Sequence, residues 1–235
     1  MIRNTFANHG ITITEEQEQK LNQYYDLLID WNNKINLTSI VEYEEVIWKH
    51  FLDSAFFVSC DKVDLKEKKK VLDLGTGAGF PGMVLAILCP DYEFVLADSL
   101  NKRIEFLKVV INRLQIHNVS VIHGRAEELG RDENFRNQFD YVVSRAVAEL
   151  PVLLEYCIPF VKKGGYFVSY KSRRLDEEIE NAENALNMLY TKYEKKYKYE
   201  LEYDHSERYL VFFRCENITD SKYPRKPKKI KTNPL

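Results

Sequence analysis

The stretch VLDLGTGAGFPG, Val71 to Gly82, decides how the rest of the chain is read. Gly75, Gly77, Gly79 and Gly82 are four of only nine glycines in the protein. That concentration marks a backbone that turns sharply and admits a close neighbour. Val71-Leu72 reads as the end of a buried strand, and Pro81 suits the first turn of a following helix. Strand, glycine turn and helix N-terminus together predict a nucleotide-type cofactor site. From Gly77 the loop matches G-x-G-x-x-G, with the acidic Asp98 about 20 residues on, as in dinucleotide sites. Asp73 points to a different ligand. A carboxylate on the strand side of the turn repels a pyrophosphate. It suits a ligand carrying an ammonium and a sulfonium, which is S-adenosylmethionine. Asp98, closing the apolar run FVLAD, is expected to accept hydrogen bonds from the ribose hydroxyls. The plainer alternative is a glycine turn that serves only tight strand–helix packing.

Working outward, strand and helix alternate regularly from Val71, as a doubly wound sheet requires. Strands are expected at 71–73, 93–97, 119–123, 139–143 and 165–170, with helices at 81–89, 101–115 and 149–161. A helix over 175–191 precedes two strands, 196–203 and 208–214, close enough to pair as a hairpin. The fold class is therefore α/β: a Rossmann-like methyltransferase sheet of five parallel units plus a C-terminal β-hairpin. Residues 1–65 read as a helical extension. Thr14 and Gln17 make a capping box, and Leu21, Tyr24, Leu28, Trp31 and Ile35 line one face of the helix that follows. A second helix is expected over about 42–58, after the turn WNNKINLTSI. The main domain covers 66–215 and a basic arm 216–235.

Composition bounds the class. Of 235 residues, 45% are hydrophobic and 30% charged, which is ordinary for a globular chain. Cys60, Cys89, Cys157 and Cys215 show no metal-ligand spacing, so reduced thiols in a cytoplasmic protein are expected, with no metal. The longest apolar run, MVLAILC, is too short to span a bilayer. The net charge of -2 hides an asymmetry, because residues 216–235 hold six basic and two acidic groups. Lys222, Arg225, Lys226, Lys228, Lys229 and Lys231 are interrupted by Pro224 and Pro227. These prolines predict an extended arm without regular helix. Such an arm can neutralise RNA phosphates, and a solvated tail explains the charge equally well.

At this point the chain resembles the RsmG (GidB) family of bacterial 16S ribosomal RNA methyltransferases over essentially its full length. The resemblance rests on WNNKINLT (31–38), HFLDS (50–54), DLGTGAGFPG (73–82), DSLNKRIEFL (98–107), GRAEE (124–128), SRAVA (144–148) and YPRKP (223–227). It implies S-adenosylmethionine-dependent methylation of N7 of a guanosine in 16S ribosomal RNA. The expected partner is 16S ribosomal RNA or a small-subunit particle, with no membrane, and the protein is expected to be a monomer. The family's cofactor contacts map onto Gly75, Phe80, Ala126, Glu127 and Arg145, and Asp98 is matched as well. The family tail usually runs from YPRK into Gly-Thr-Pro. Here Lys228, Lys229 and Ile230 stand in that region, which makes the arm more basic.

The residues agree with that chemistry. Guanine N7 carries a free lone pair and no proton, so attack on a methyl sulfonium needs no general base. Exocyclic amine methylation commonly uses an Asn/Asp-Pro-Pro-aromatic turn after the fourth strand, and this chain has SRAV there. Cys89 and Cys157 lie in helical stretches and read as core, not as nucleophiles for pyrimidine C5. No single catalytic residue is identified; the candidates are Arg145, His50 and Asp53. His50 and Asp53 share a helix face, where a local hydrogen-bonded pair is the plainer reading. Arg145 ends the fourth strand at the ligand-binding edge of the sheet, with an ion pair to Glu149 as its structural alternative. Trp31 reads as a core anchor, and helix capping explains Asn32 and Asn36 as well as RNA contact does. Two other functions are compatible: a methyltransferase of the same fold acting on a protein or small molecule, and a non-catalytic RNA-binding protein.

Overall fold

The computed structural model describes every residue except 146, 147, 173 and 174. Seven strands form one sheet: β1 (Lys70–Leu74), β2 (Glu93–Asp98), β3 (Val119–His123), β4 (Phe139–Arg145), β5 (Val161–Lys171), β6 (Thr191–Leu201) and β7 (Ser206–Cys215). Their order is β3-β2-β1-β4-β5-β7-β6. The first five run parallel, whereas β7 is antiparallel to β5 and pairs with β6 as a hairpin. The order reverses between β1 and β4, so a crevice opens at the carboxyl ends of these strands.

Alternation along each strand separates two cores. Val71, Phe94, Tyr141 and Phe212 face a cluster shared with Leu21, Tyr24 and Phe51 of the N-terminal helices. Their neighbours Leu72, Val142, Phe167 and Phe213 face a second cluster with Leu153 and Leu154. Both faces are covered, which is why the central strands read as nearly continuous apolar runs. Among the described residues, no helix is long and apolar enough to cross a membrane.

The N-terminal helix Glu15–Ile35 begins with the predicted Thr14–Gln17 capping box and ends at Asn36 in a left-handed conformation, φ 50. Asn32 Oδ1 accepts from the backbone N–H groups of Leu37 (2.6 Å) and Thr38 (2.8 Å), which fixes the turn beyond it. The regular helix expected over 42–58 is corrected. One α-turn (Tyr43–Val46) passes into a π-helix (Ile47–Leu52), a second α-turn (Asp53–Ala55) and a 3₁₀ turn (Phe56–Ser59). The wider π-turn changes the rotation per residue, and such insertions gather at functional sites. A short helix (Ile2–Asn8) and a helical turn (Ala126–Leu129) were not expected from periodicity. The helix expected over 175–191 is two, Leu175–Asn181 and Glu183–Met188.

The arm is also corrected. Tyr223 and Ile230 are buried, and Pro227–Thr232 is a short helix with Pro227 at its first position. There proline's missing N–H costs nothing, so it starts a helix instead of forbidding one. Arg225 clasps the fully buried Glu155, a residue of the helix Leu150–Cys157, through its backbone N (2.8 Å), Nε (2.7 Å) and Nη2 (2.6 Å). Arg136 donates to the carbonyls of Tyr223 (2.7 Å) and Thr219 (2.8 Å), and Arg131 to that of Pro224 (2.8 Å). The Arg225 guanidinium is thus engaged inside the protein instead of standing free on the arm. Lys222 pairs with Asp220 at 3.1 Å, whereas Lys226, Lys228, Lys229 and Lys231 are exposed.

Candidate cofactor and substrate site

The crevice holds a cavity of about 750 Å³. One wall is the glycine loop after β1, where Gly75 (φ 76) and Gly77 (φ 62) adopt conformations that favour glycine. A Cβ on Gly77 would meet nothing within 4 Å, so the loop presents bare backbone to open space. Asp98, at the end of β2, braces the loop. Its Oδ2 accepts from Gly77 N (2.9 Å) and Arg103 Nη1 (3.1 Å), and its Oδ1 from Leu100 N (2.9 Å). Gly75, Gly77, Phe80, Asp98 and Arg145 all line the cavity.

Four expected cofactor contacts do not line it. Asp73 is fully buried beneath the loop, where its Oδ2 accepts from Thr76 Oγ1 (2.6 Å) and Gly82 N (2.8 Å). Burial pushes its carboxyl up to about 6 against those two bonds, and its Oδ1 has no partner among the described residues. Asp73 therefore shapes the turn from below. Gly82 serves the same packing, because a Cβ there would lie 2.7 Å from Asp73 Oδ2. Gly79 (φ 100) makes room for Tyr24, whose hydroxyl donates to the carbonyl of Ala78; a Cβ would also sit 2.9 Å from Leu107. Ala126 and Glu127 open the turn after β3, with Glu127 paired to Arg125 at 2.9 Å, outside the cavity wall.

The opposite wall comes from the π-helix. His50 stacks on Phe80 with ring centroids 4.4 Å apart, and the Arg145 guanidinium lies 5.4 Å from the Phe80 ring centre. Arg145 Nη1 donates to Asp53 Oδ2 at 2.7 Å, while Tyr199 donates to Asp53 Oδ1 at 2.8 Å. Asp53, and not Glu149, is therefore the ion-pair partner of Arg145. His50 and Asp53 do not bond to each other; both meet Arg145, whose Nη2 approaches His50 Nδ1 at 3.4 Å. His50 Nε2 pairs with Thr38 Oγ1 at 3.0 Å, which ties the WNNKINLT turn to the site. Burial and the Arg145 charge hold His50 down to about 3, so its imidazole is neutral at physiological pH. Of the SRAVA motif, positions 146 and 147 lie outside the described residues.

Sequence reading overlooks several wall residues: Thr38, Arg103, Lys171, Glu178 and Arg208. Arg103 carries a usable signal, since a cation in the first turn of a helix opposes the helix dipole and calls for an anionic partner. Cys89 and Cys157 are buried away from the cavity, and burial raises both thiols, Cys89 to about 12.

A cavity at the switch point of a parallel sheet, with a bare glycine loop beside the Asp98 carboxylate, is the arrangement shared by sites for nucleoside-containing cofactors. The fold agrees with this at the level of architecture. Aeropyrum pernix fibrillarin, solved with natively bound S-adenosyl-L-methionine, superposes with a TM-score of 0.51 at 16% identity over 69% of this chain and 73% of that one. The sequence is far more specific. Ribosomal RNA small subunit methyltransferase G of Lachnoclostridium phytofermentans is 50% identical over 92% of this chain and 88% of its own length. The protein of that name from Alkaliphilus metalliredigens is 48% identical over 93% and 90%. The sequence model of the family described as rRNA small subunit methyltransferase G (GidB) matches residues 17–205. The chain belongs to the rRNA small subunit methyltransferase G family.

Proposed function

We propose that the protein transfers a methyl group from S-adenosylmethionine to N7 of a guanosine in 16S ribosomal RNA, acting as a cytoplasmic monomer on the RNA or a small-subunit particle. The observation that carries the reading is the left-handed Gly77 beside Asp98 at the sheet's switch point, whose bare backbone faces open space where a Cβ would project. When bound, S-adenosylmethionine supplies a methyl group on a positive sulfonium, open to direct displacement. The backbone of Gly75 and Gly77, the Asp98 carboxylate and the Phe80 ring, all lining the cavity, would hold it, with Asp98 accepting from the ribose hydroxyls.

Asp98 holds Arg103 at 3.1 Å, and the acceptor capacity left on its carboxylate would serve the ribose hydroxyls. Arg145 is held over Phe80 by Asp53 and Tyr199, so its guanidinium has one orientation toward the cavity. N7 carries no proton, so the site needs alignment and water exclusion more than acid–base chemistry. His50 fits that requirement: it is neutral, stacked and hydrogen-bonded, and acts as a rigid wall. Lys222, Lys226, Lys228, Lys229 and Lys231 remain the RNA-facing charges of the C-terminal segment, without Arg225.

A protein or small-molecule methyltransferase is the competing reading, and the exposed lysines favour RNA. The test incubates the purified protein and labelled S-adenosylmethionine with 16S rRNA, assembled small subunits or bulk protein. The RNA is then digested to nucleosides. Label in 7-methylguanosine supports the proposal; label in protein, or in another nucleoside, overturns it.

A further inference from the structure

The cavity wall beyond Arg145 carries an ion pair that methyl transfer itself does not use. Lys171, the last residue of β5, donates to Glu178 Oε2 at 2.5 Å and to the Ala148 carbonyl at 3.1 Å. Glu178 belongs to the helix Leu175–Asn181, and its Oε2 also accepts from Leu150 N at 3.1 Å. Its Oε1 has no partner among the described residues. The two side chains are 10% and 24% exposed, yet both residues line the cavity. A partly exposed ion pair beside an open cavity contributes little to stability, so stability alone is a weak reason for it.

Its place in the fold supplies a better one. β2, β1, β4 and β5 are consecutive neighbours, and Arg145 lies in register with Tyr170. At a strand spacing of about 4.8 Å, Lys171 stands roughly 10 Å from β1 and 14 Å from β2. The glycine loop and Asp98 therefore occupy one end of the cavity, and Lys171 and Glu178 the other, with Arg145 between them.

We infer that Glu178, supported by Lys171, reads the Watson–Crick edge of the target guanine and sets the enzyme's base specificity. This rests on the proposed N7 transfer. A guanine whose N7 faces the methyl donor turns N1 and N2 toward the opposite wall. That edge offers two donors, N1–H and N2–H, beside the O6 acceptor. The carboxylate of Glu178 accepts from the first two. Among the described residues, two of the three Lys171 donors are engaged, which leaves the third for O6. Adenine reverses the pattern: its N1 lone pair faces the carboxylate and its N6 amine faces the ammonium. The pair thus both recognises guanine and repels adenine.

The test compares methylation of unmodified 16S rRNA carrying guanosine or inosine at the mapped site, since inosine keeps N7 and N1–H but lacks the N2 amine. The wild type is expected to prefer guanosine about tenfold in kcat/KM. Glu178→Gln keeps the shape and the acceptor for Leu150 N. It should lower kcat/KM on guanosine about 10- to 100-fold, the range of one bidentate base contact. It should also erase most of the guanosine–inosine preference, with melting temperature and S-adenosylmethionine affinity close to wild type. Lys171→Met is expected to lower kcat/KM while retaining the inosine discrimination. A wild type indifferent to inosine overturns the inference whatever the variants do. A Glu178→Gln enzyme that loses activity with its preference intact makes the residue structural and overturns it too. A wild type that methylates no guanosine N7 rejects the underlying function as well.

Discussion

Arg225→Ala is expected to unfold the protein more readily while leaving its RNA electrostatics almost untouched. Glu155 is fully buried and accepts three hydrogen bonds from Arg225, one from the backbone and two from the guanidinium. Truncating the arginine strands a carboxylate out of water, which costs about 3–5 kcal/mol. That is a large share of a typical folding free energy of about 5–15 kcal/mol. The double variant Glu155→Met/Arg225→Met removes both charges and should recover most of the loss, because apolar replacement of a buried pair is often neutral or better. Urea denaturation of the three proteins gives these differences directly, provided the m-values agree. The salt dependence of rRNA binding, measured on folded protein, supplies the second readout. A phosphate contact at Arg225 would remove about 0.7–0.9 from the slope; none is expected. A stability loss below about 0.5 kcal/mol accompanied by a flatter salt slope would refute the buried role and restore Arg225 to the RNA surface.

Gly77→Ala should cost only about 1 kcal/mol of stability, for a left-handed non-glycine residue, yet weaken S-adenosylmethionine at least tenfold by calorimetry. Gly79→Ala should do the reverse, destabilising the fold first, since its Cβ meets Tyr24 and Leu107. Replacing Lys228, Lys229 and Lys231 by alanine should flatten the salt slope of rRNA binding by up to roughly 2–3 units at unchanged melting temperature; an unchanged slope would remove these lysines from the interface. His50, ordinarily near 6.5, is held down to about 3 in the fold. Its contribution to stability is therefore complete above pH 6.5 and declines as pH falls toward 3, by at most about 1.4 kcal/mol per pH unit. Asp73, raised from 3.8 to about 6, acts with the opposite sign, its ionisation costing stability as pH rises through that window. Thermal melts of His50→Gln between pH 4 and 7 should show a weaker loss toward acid than the wild type, and an identical profile would contradict the burial assigned to His50.

The centre of the sheet is legible in the sequence because strands such as β1 and β4 are buried on both faces and punctuated by turn residues. The hairpin and the capping box were readable for the same local reasons. The roles within the glycine loop were less accessible. Composition marks Gly77 and Gly79 alike, and only packing tells that one faces open space while the other yields to Tyr24. Asp73 was read as a ligand contact because its position in the motif cannot reveal that Thr76 and Gly82 already claim its carboxylate. The arm misled for a similar reason: Arg225 meets Glu155 across 70 residues, and no local pattern announces that pair. The π-helix escaped as well, since an apolar stripe scored at 3.6 residues per turn tolerates one wider turn without losing its face.

The central claim, N7 methylation of one guanosine in 16S rRNA, is tested most directly by chemical scission at 7-methylguanosine. Borohydride reduction and aniline treatment cut RNA at that nucleoside, and primer extension locates the break. Ribosomal RNA from cells with the gene intact should show a single scission site that disappears when the gene is deleted. It should return with the wild-type gene and stay absent with a folded Gly77→Val variant. An identical scission pattern with and without the gene would contradict the account.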